Sequence, residues 1–224
     1  KTPVEAYLAT RRIFVSLPSD IRFLPPRFGS YGAMVVAARG NDGNLLAVQS
    51  VYIYDGKKAL IETPKRTNGV MDGAALRLPA LHGNELVLAE GPETGLSVWQ
   101  AWGRETWVAL GSIAKLIDTV PVDRPVIVAR DADEPDSQAD KALMIAVAAM
   151  IERGISVRVV SPPNPKKKGY DFNDALKDYG DSVVATVFKN DGWIKPRYPA
   201  PTGTIEEARC IVQKEFSLWA NNLS

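Results

Sequence analysis

Acidic side chains form three groups in the second half of the chain, and their type and spacing suit divalent-cation chemistry. The groups are Glu90, then Asp131 with Asp133, then Asp171 with Asp174. Carboxylates gathered in one place repel each other unless cations are present, and hard oxygen ligands of this kind bind Mg²⁺ and Mn²⁺. Phosphoryl transfer uses such ions, because negative charge spreads over the non-bridging oxygens in its transition state. We therefore expect Mg²⁺ or Mn²⁺ as the cofactor.

Each acid also has an ordinary structural role open to it. Glu90 could be stabilised at a helix N-terminus by the helix dipole. Asp131 and Asp133 could be turn residues, and Asp171 could be the N-cap of a helix. Capping alone does not account for acids directly after two apolar strands, with a third group after another strand. The combination of three acidic groups, each after a predicted strand, favours a functional site.

Short apolar segments precede the three acidic groups. Residues 86–89 run directly into Glu90, and residues 126–129 end two positions before Asp131. A further strand is predicted at 155–160 and is followed, after a loop, by the third group. Continuous apolar runs of this length are typical of buried parallel strands. Because ligands bind beyond the carboxyl ends of the strands in such sheets, we expect the three groups to meet at one edge.

Helices are predicted between these strands, so residues from about 85 to 180 are expected to form one α/β domain with a right-handed parallel sheet. Proline stands near the start of the first helix, and Gly154 is predicted to cap the end of the longest one. The predicted elements are helices at 92–102, 112–117, 137–153 and 171–179 and a strand at 106–110.

The first eighty residues have a different pattern, which predicts a separate α+β lobe. Thr2 followed by proline indicates the start of a helix that runs to about residue 12. Strands predicted at 33–39 and 45–54 flank an Asp-Gly turn and are expected to pair as an antiparallel hairpin. Residues 57–78 are expected to hold shorter extended pieces broken by glycines.

Charge is distributed unevenly along the chain, although the formal net charge is only +1. Residues 1–80 hold 11 Lys and Arg against 6 Asp and Glu, whereas residues 81–180 hold 11 against 15. A basic part beside an acidic part indicates a polyanion-binding surface next to a cation-binding surface, with ordinary surface variation as the alternative.

Composition excludes several classes of protein and site. Cys210 is the only cysteine and His82 the only histidine, so an internal disulfide, a cysteine-based zinc site and catalysis by a histidine base are not expected. No apolar run reaches the roughly 18 residues of a membrane span, and no signal peptide is visible. We predict a cytoplasmic protein without a membrane partner. Because the chain begins at Lys1, a fragment of a longer protein is expected.

With Glu90-Gly91 after one strand and Asp131-x-Asp133 after another, the chain resembles the Toprim domain over about residues 85–180. This domain is shared by bacterial-type primases, topoisomerases and some nucleases. The resemblance implies a Rossmann-like parallel sheet in which Glu90, Asp131 and Asp133 are catalytic and hold the metal. The segment from Asp171 to Asp174 resembles the third acidic cluster of primases and primase-helicases, which implies supporting metal ligands.

The preceding lobe is similar to the basic lobe of DnaG-type primases. By that resemblance Lys65, Arg66 and Asn68 would contact template or nucleotide phosphates, and cationic side chains near a glycine turn suit such work. A solvated loop is the alternative. Further basic candidates on the lobe or in the lysine-rich loop before Asp171 are Arg39, Lys57, Lys58, Arg77, Lys166, Lys167 and Lys168.

These features predict the catalytic core of a DNA primase, with residues 1–80 as the basic lobe, 81–189 as the Toprim domain and 190–224 as linker and C-terminal helix. Its expected activity is template-directed synthesis of short RNA primers by metal-dependent nucleotidyl transfer. The expected partners are a single-stranded DNA template, nucleoside triphosphates and a helicase. The helicase is expected to be reached through a proline-rich linker at 189–203 and a helix at 204–221. The overall pattern is closer to plasmid or phage primases.

Alternatives remain open at this point. A Toprim-type nuclease would use the same acids with water as the nucleophile, and a non-catalytic single-stranded DNA-binding module is the third possibility. A topoisomerase is disfavoured, because the chain lacks length for strand-passage domains. The chain also departs from the family: Thr94 replaces an acid beside Glu93, Glu134-Pro135-Asp136 follows the Asp-x-Asp pair, and the cysteine-rich zinc module is absent.

Overall fold

The computed structural model describes residues 2–27, 31–164 and 168–189. The predicted helix at 204–221, Cys210 and all but the first residue of the predicted linker lie outside the described residues, as do Lys166 and Lys167. Within the described ranges, no helix is long and apolar enough to cross a membrane.

The first lobe is one helix packed on an antiparallel sheet. The helix forms because Thr2 caps it: the Thr2 hydroxyl accepts from the Glu5 amide, and the Glu5 carboxylate accepts from the Thr2 amide at 2.6 Å. The elements are α1 (Pro3–Thr10), β1 (Ile21–Leu24), β2 (Gly32–Arg39), β3 (Leu45–Tyr54), β4 (Lys57–Lys58) and β5 (Lys65–Gly69).

The strand order of this sheet is β1-β2-β3-β4, and β5 also pairs with β3. The predicted hairpin is confirmed, since β2 and β3 are antiparallel neighbours. Along β3, alternate residues are buried against the core, as the two-residue period of a strand requires. The buried ones are Ala47, Gln49, Val51 and Ile53.

The second sheet has the order β10-β9-β7-β8-β6, with four parallel strands and the antiparallel strand β6 at one edge. Its strands are β6 (Leu76–Leu78), β7 (Leu86–Ala89), β8 (Glu105–Val108), β9 (Val126–Ala129) and β10 (Val157–Val160). The helices are α2 (Pro92–Trp102), α3 (Gln138–Glu152), α4 (Phe172–Tyr179), α5 (Asp181–Val187) and a 3₁₀ helix (Ile113–Leu116). The predicted α/β fold with a mainly parallel sheet is confirmed.

Both faces of the second sheet are covered, which explains why its central strands are apolar throughout. Leu86 and Leu88 face a core shared with α3 and the 3₁₀ helix. Val87 faces the other core, which α2, α4, α5 and α1 share. Gly95 lets α2 approach the sheet closely, since a Cβ there would lie 2.3 Å from the Val108 side chain. Close packing of the first turn of α2 on the sheet therefore depends on this glycine.

The predicted cap at Asp171 is confirmed, since its side chain accepts from a backbone amide of α4. Ser137 caps α3 in the same way, which was not predicted from the sequence. The C-cap of α3 is Arg153, and Gly154 follows it with a φ of 86°. The glycine was expected at the cap itself, but the left-handed conformation that it supplies is needed one residue later.

The predicted lobe of residues 1–80 reaches into the second sheet, because β6 pairs with β8. The helix α1 also shares one hydrophobic core with α2 and α4. The two parts therefore pack as neighbours along a common core, and the division at residues 80 and 189 stays a prediction.

Candidate active site

The carboxyl ends of the parallel strands lie side by side, and the acidic residues follow them. Ala89 of β7 is in register with Ala129 of β9, which is in register with Val160 of β10. Glu90 is the next residue after β7, and Asp131 comes two residues after Ala129. The strand ends thus bring the first two acidic groups to one edge of the sheet, as the strand pattern predicts.

Glu90 is half-buried and is held by the loop that follows β8. Its carbonyl oxygen accepts a hydrogen bond from the Gly111 amide at 3.1 Å. Burial raises the pKa of the Glu90 carboxyl, a backbone hydrogen bond from Ile113 opposes that rise, and the charge of Asp133 adds to it. The loop therefore holds the main chain of Glu90, and the backbone that follows the loop acts on the carboxyl group.

Asp131 shares its surroundings with acids of all three groups. Burial, followed by the charges of Asp171, Glu90 and Asp133, raises the pKa of Asp131 to about 7. The Thr94 hydroxyl donates to the Asp131 carboxylate at 3.5 Å, a long contact that opposes the rise only weakly. These carboxylates thus repel one another, a situation that a bound cation would relieve.

Asp171 both caps α4 and belongs to this acidic edge. Its carboxylate accepts from the Asp174 amide at 2.7 Å, as an N-cap does. Burial raises the pKa of Asp171, the Asp174 amide opposes this, and the charges of Asp174 and Glu93 add to it. Asp174 itself forms an ion pair with Lys177 at 2.9 Å. The capping and metal roles weighed for Asp171 therefore do not exclude each other.

The donor types at this edge fit a hard divalent cation, because they are carboxylates that raise each other's pKa. Among the residues that the structure describes, however, no three His, Cys, Asp or Glu side chains are grouped so that they could already hold a metal ion. The strand ends therefore supply a shared edge of negative charge, and a cation would have to draw the carboxylates together.

The strand β5 carries the predicted phosphate-binding residues, and all five of its residues are exposed. Directly opposite residues of an antiparallel pair point to the same side of the sheet. Lys65 is opposite the buried Val51, so it points toward the second sheet. Arg66 and Asn68 alternate with it and point to the other side. The structure therefore divides Lys65, Arg66 and Asn68 between two faces.

Comparison with known families and structures supports these observations. Residues 85–182 match the family model described as the Toprim domain. Residues 85–182 form a Toprim domain. Residues 1–78 match the model of a domain of unknown function, DUF7146. Comparison with curated protein sequences gave no match.

Solved structures of primases share this fold. A DnaG primase catalytic domain bound to ssDNA has a TM-score of 0.62 and 14% identity, with 84% of this chain and 71% of that chain covered. The E. coli primase catalytic core has a TM-score of 0.59 and 12% identity, with 84% of this chain and 72% of that chain covered. A third match is the Aquifex aeolicus primase with its zinc-binding and RNA polymerase domains. It has a TM-score of 0.55 and 15% identity, with 77% of this chain and 44% of that chain covered. This chain thus spans less than half of the Aquifex protein, and the likeness shows a DnaG-type fold.

A buried polar network joins the Toprim domain to α1, and sequence reasoning did not find it. Glu93 is 4% exposed and accepts a hydrogen bond from the Tyr7 hydroxyl at 2.6 Å. The Lys58 ammonium lies 3.6 Å from the same carboxylate. Burial alone would raise the pKa of Glu93, but Lys58, Lys65 and the Tyr7 hydroxyl outweigh it and lower that pKa. Glu93 is therefore a buried anion facing the basic lobe.

Arg11 and Asn173 extend this network toward the acidic edge. The Arg11 guanidinium donates to the Asn173 side-chain oxygen at 3.0 Å, and the Asn173 amide donates to the Arg11 carbonyl and the Ser97 hydroxyl. Glu93, Thr94 and Ser97 are polar residues among the mostly apolar buried residues of α2, and this pattern is the signal in the sequence that could have indicated the network.

The Tyr7→Phe variant is expected to lower the free energy of unfolding at pH 7 by about 1–3 kcal/mol, because it removes a hydrogen bond from a buried carboxylate. Since the pKa of Glu93 is lowered in the folded state, its ionic contribution is present above the ordinary carboxyl pKa and is lost as pH falls through the folded value. The loss caused by Tyr7→Phe should therefore shrink in acid. Urea unfolding at pH 7 and pH 3 measures both, and the exposed Tyr54→Phe is the control.

The remaining basic candidates make structural contacts on or beside the Toprim domain. Arg39 pairs with Asp20 at 2.8 Å and also donates to the Gly43 carbonyl. Arg77 stacks on the Trp107 ring, 3.9 Å from its centroid. Lys168 is exposed and pairs with Glu134 at 3.0 Å. A nucleic-acid role for these three arginine and lysine side chains stays a prediction.

Proposed function

We propose that this chain is the catalytic core of a DNA primase that makes short RNA primers on a single-stranded DNA template. The observation that carries the proposal is the position of an exposed basic strand beside an acidic sheet edge. Lys65 of β5 lies near enough to Glu93 to lower its pKa, and Glu93 in turn raises the pKa of Asp171. Lys65 and the acidic edge thus both lie within electrostatic range of the buried Glu93.

Glu90, Asp131 and Asp133 would hold one or two Mg²⁺ or Mn²⁺ ions, with Asp171 and Asp174 in support. When bound, such ions offset the charge that develops on the α-phosphate during nucleotidyl transfer. The pKa of Asp131 is raised by burial and then by the charges of Asp171, Glu90 and Asp133, and this supports the assignment, since it leaves the edge short of positive charge. The Thr94 hydroxyl would be a weak donor to the Asp131 carboxylate at this edge.

Phosphate groups would be bound by the cations of the lobe. Lys65 would face the nucleotide triphosphate, and Arg11 and Lys58 would add positive charge at the same place, since both act on the buried Glu93. Arg66 and Asn68, on the other face of β5, would contact the template backbone. A helicase reached through the segment after Lys189 belongs to the same proposal.

The test is an assay with single-stranded DNA, ribonucleoside triphosphates and Mg²⁺, in which RNA products and DNA fragments are resolved on one gel. We expect short RNA whose synthesis needs the template and stops on addition of EDTA. Cleavage of the DNA without RNA synthesis would instead identify a nuclease. Metal-independent DNA binding with neither product would identify a binding module, and either result would refute the primase assignment.

A further inference from the structure

The side chain of Gln49 joins the basic strand β5 to the loop around Glu90. Its amide nitrogen donates to the Leu110 carbonyl at 2.8 Å and to the Thr67 hydroxyl at 3.1 Å. Gln49 is only 5% exposed, and its amide oxygen has no hydrogen-bond partner among the described residues. Because a carbonyl can only accept, the nitrogen must face Leu110. The two donated bonds therefore define the polar contacts of this buried amide.

The backbone of Leu110, in the same loop, has a conformation that a neighbouring contact must hold. Its φ is 53°, in the left-handed region that a branched, buried side chain rarely adopts. Such a conformation persists only when the surrounding structure imposes it. The bond from Gln49 to the Leu110 carbonyl is a buried contact that does so. Loss of that bond would allow the loop to relax.

The same loop holds Glu90. The Gly111 amide, directly after Leu110, donates to the Glu90 carbonyl at 3.1 Å. The backbone of Ile113, at the start of the 3₁₀ helix after this loop, lowers the pKa of the Glu90 carboxyl. A relaxed loop would therefore release the main chain of this acid and change the surroundings of its carboxyl. At its other end, the link reaches Thr67, which lies between Arg66 and Asn68 on β5.

We propose that Gln49 is a positioning residue that fixes the orientation of Glu90 and its distance from β5. The inference rests on the proposed function, because it treats Glu90 as a metal ligand and β5 as the phosphate-binding strand. Gln49 contacts neither substrate nor metal in this role. It acts through Leu110 on the acidic edge and through Thr67 on the basic strand.

The test compares Gln49→Met with a matched core variant. Methionine keeps the volume of glutamine but cannot donate, so we expect kcat for primer synthesis to fall about tenfold, as misplacement of a reacting group does. Affinity for Mn²⁺, titrated directly on the protein, should fall with it, while affinity for single-stranded DNA stays within about twofold. Val36→Ala is the control, because Val36 is fully buried and lies opposite Gln49 on β2.

A second variant tests the two hydrogen bonds of Gln49 separately. Thr67→Val removes the bond to β5 but leaves the bond to Leu110, so Mn²⁺ affinity should stay at the wild-type value. The proposal would be overturned if Gln49→Met and Val36→Ala lost kcat and Mn²⁺ affinity to the same extent at equal stability in urea. Unchanged kcat and Mn²⁺ affinity in Gln49→Met would overturn it as well. If the wild type makes no primer but Gln49→Met still weakens Mn²⁺ binding, the primase assignment fails and the positioning role stands.

Discussion

Replacement of Asp131 by asparagine is expected to abolish primer synthesis and to make the folded chain more stable at pH 8. The pKa of Asp131 is raised to about 7, chiefly by burial and then by the neighbouring acids. An unfolded aspartate has a pKa near 4. Between these values the folded state keeps a proton that the unfolded state has lost, so the stability falls as pH rises from about 4 to about 7. Asparagine removes this cost.

The expected gain at pH 8 is about 1–3 kcal/mol in the free energy of unfolding, after allowance for partial solvent screening. It should be much smaller near pH 4, where the folded acid is protonated and the unfolded acid is about half protonated. Urea unfolding across pH 4–8 measures it, and the exposed Asp123→Asn serves as a control. Mg²⁺ should stabilise the wild type at pH 8 but not Asp131→Asn, because a ligand that binds only the folded state adds stability.

Two results would contradict this account of Asp131. A variant that is less stable than the wild type at pH 8 would mean that the surrounding carboxylates do not repel the Asp131 charge. A variant that still makes primers would mean that the acid does not serve the reaction. Loss of activity together with a gain of stability is the pattern that separates a functional acid from a capping acid, because removal of a cap destabilises a helix.

The parallel strands of the Toprim domain could be predicted from the sequence because their signal is local. Residues 86–89 and 126–129 are uninterrupted apolar runs, each followed by a charged residue, and the structure gives both strands those bounds. The predicted meeting of the acids at one edge then followed from the rule that parallel strands end together. The hairpin of β2 and β3 was predicted for the same reason, since its period and its turn are both local.

β5 could not be predicted in detail, because what makes it a strand is not in its own residues. All five are exposed and polar or glycine, so the segment reads as a loop until β3 offers an edge to pair with. Gly69 is required for that pairing, since a Cβ there would lie 2.3 Å from the Leu46 carbonyl oxygen. The division of Lys65 and Arg66 between two faces follows from the register alone.

The network around Glu93 was missed for a similar physical reason. Tyr7 and Glu93 are separated by 86 residues, and Arg11 and Asn173 by 162. Nothing in α1 by itself indicates that its polar side chains reach a buried acid. The helix was predicted from its cap and its apolar positions, while the partners of Tyr7 and Arg11 are set by how the lobe packs on α2 and α4.

Lys65→Ala and Arg66→Ala are expected to impair the reaction in different ways, although the two residues are adjacent. Lys65 points toward the buried Glu93 and the acidic edge. Removal of a cation that faces developing phosphate charge should lower kcat/KM for nucleoside triphosphates by about 10²-fold. Arg66 points to the other side of β5, so its loss should leave kcat at saturating template unchanged.

For Arg66→Ala, the expected defect is in template binding. The affinity for single-stranded DNA should fall, and the slope of log K against log salt should decrease by about 0.7, because one phosphate contact is lost. Lys65→Ala should keep the wild-type slope. Steady-state kinetics and anisotropy titrations at several salt concentrations measure both quantities. If the two alanine variants change the same parameter, the two faces of β5 do not have separate roles and the basic strand acts only as a patch of positive charge.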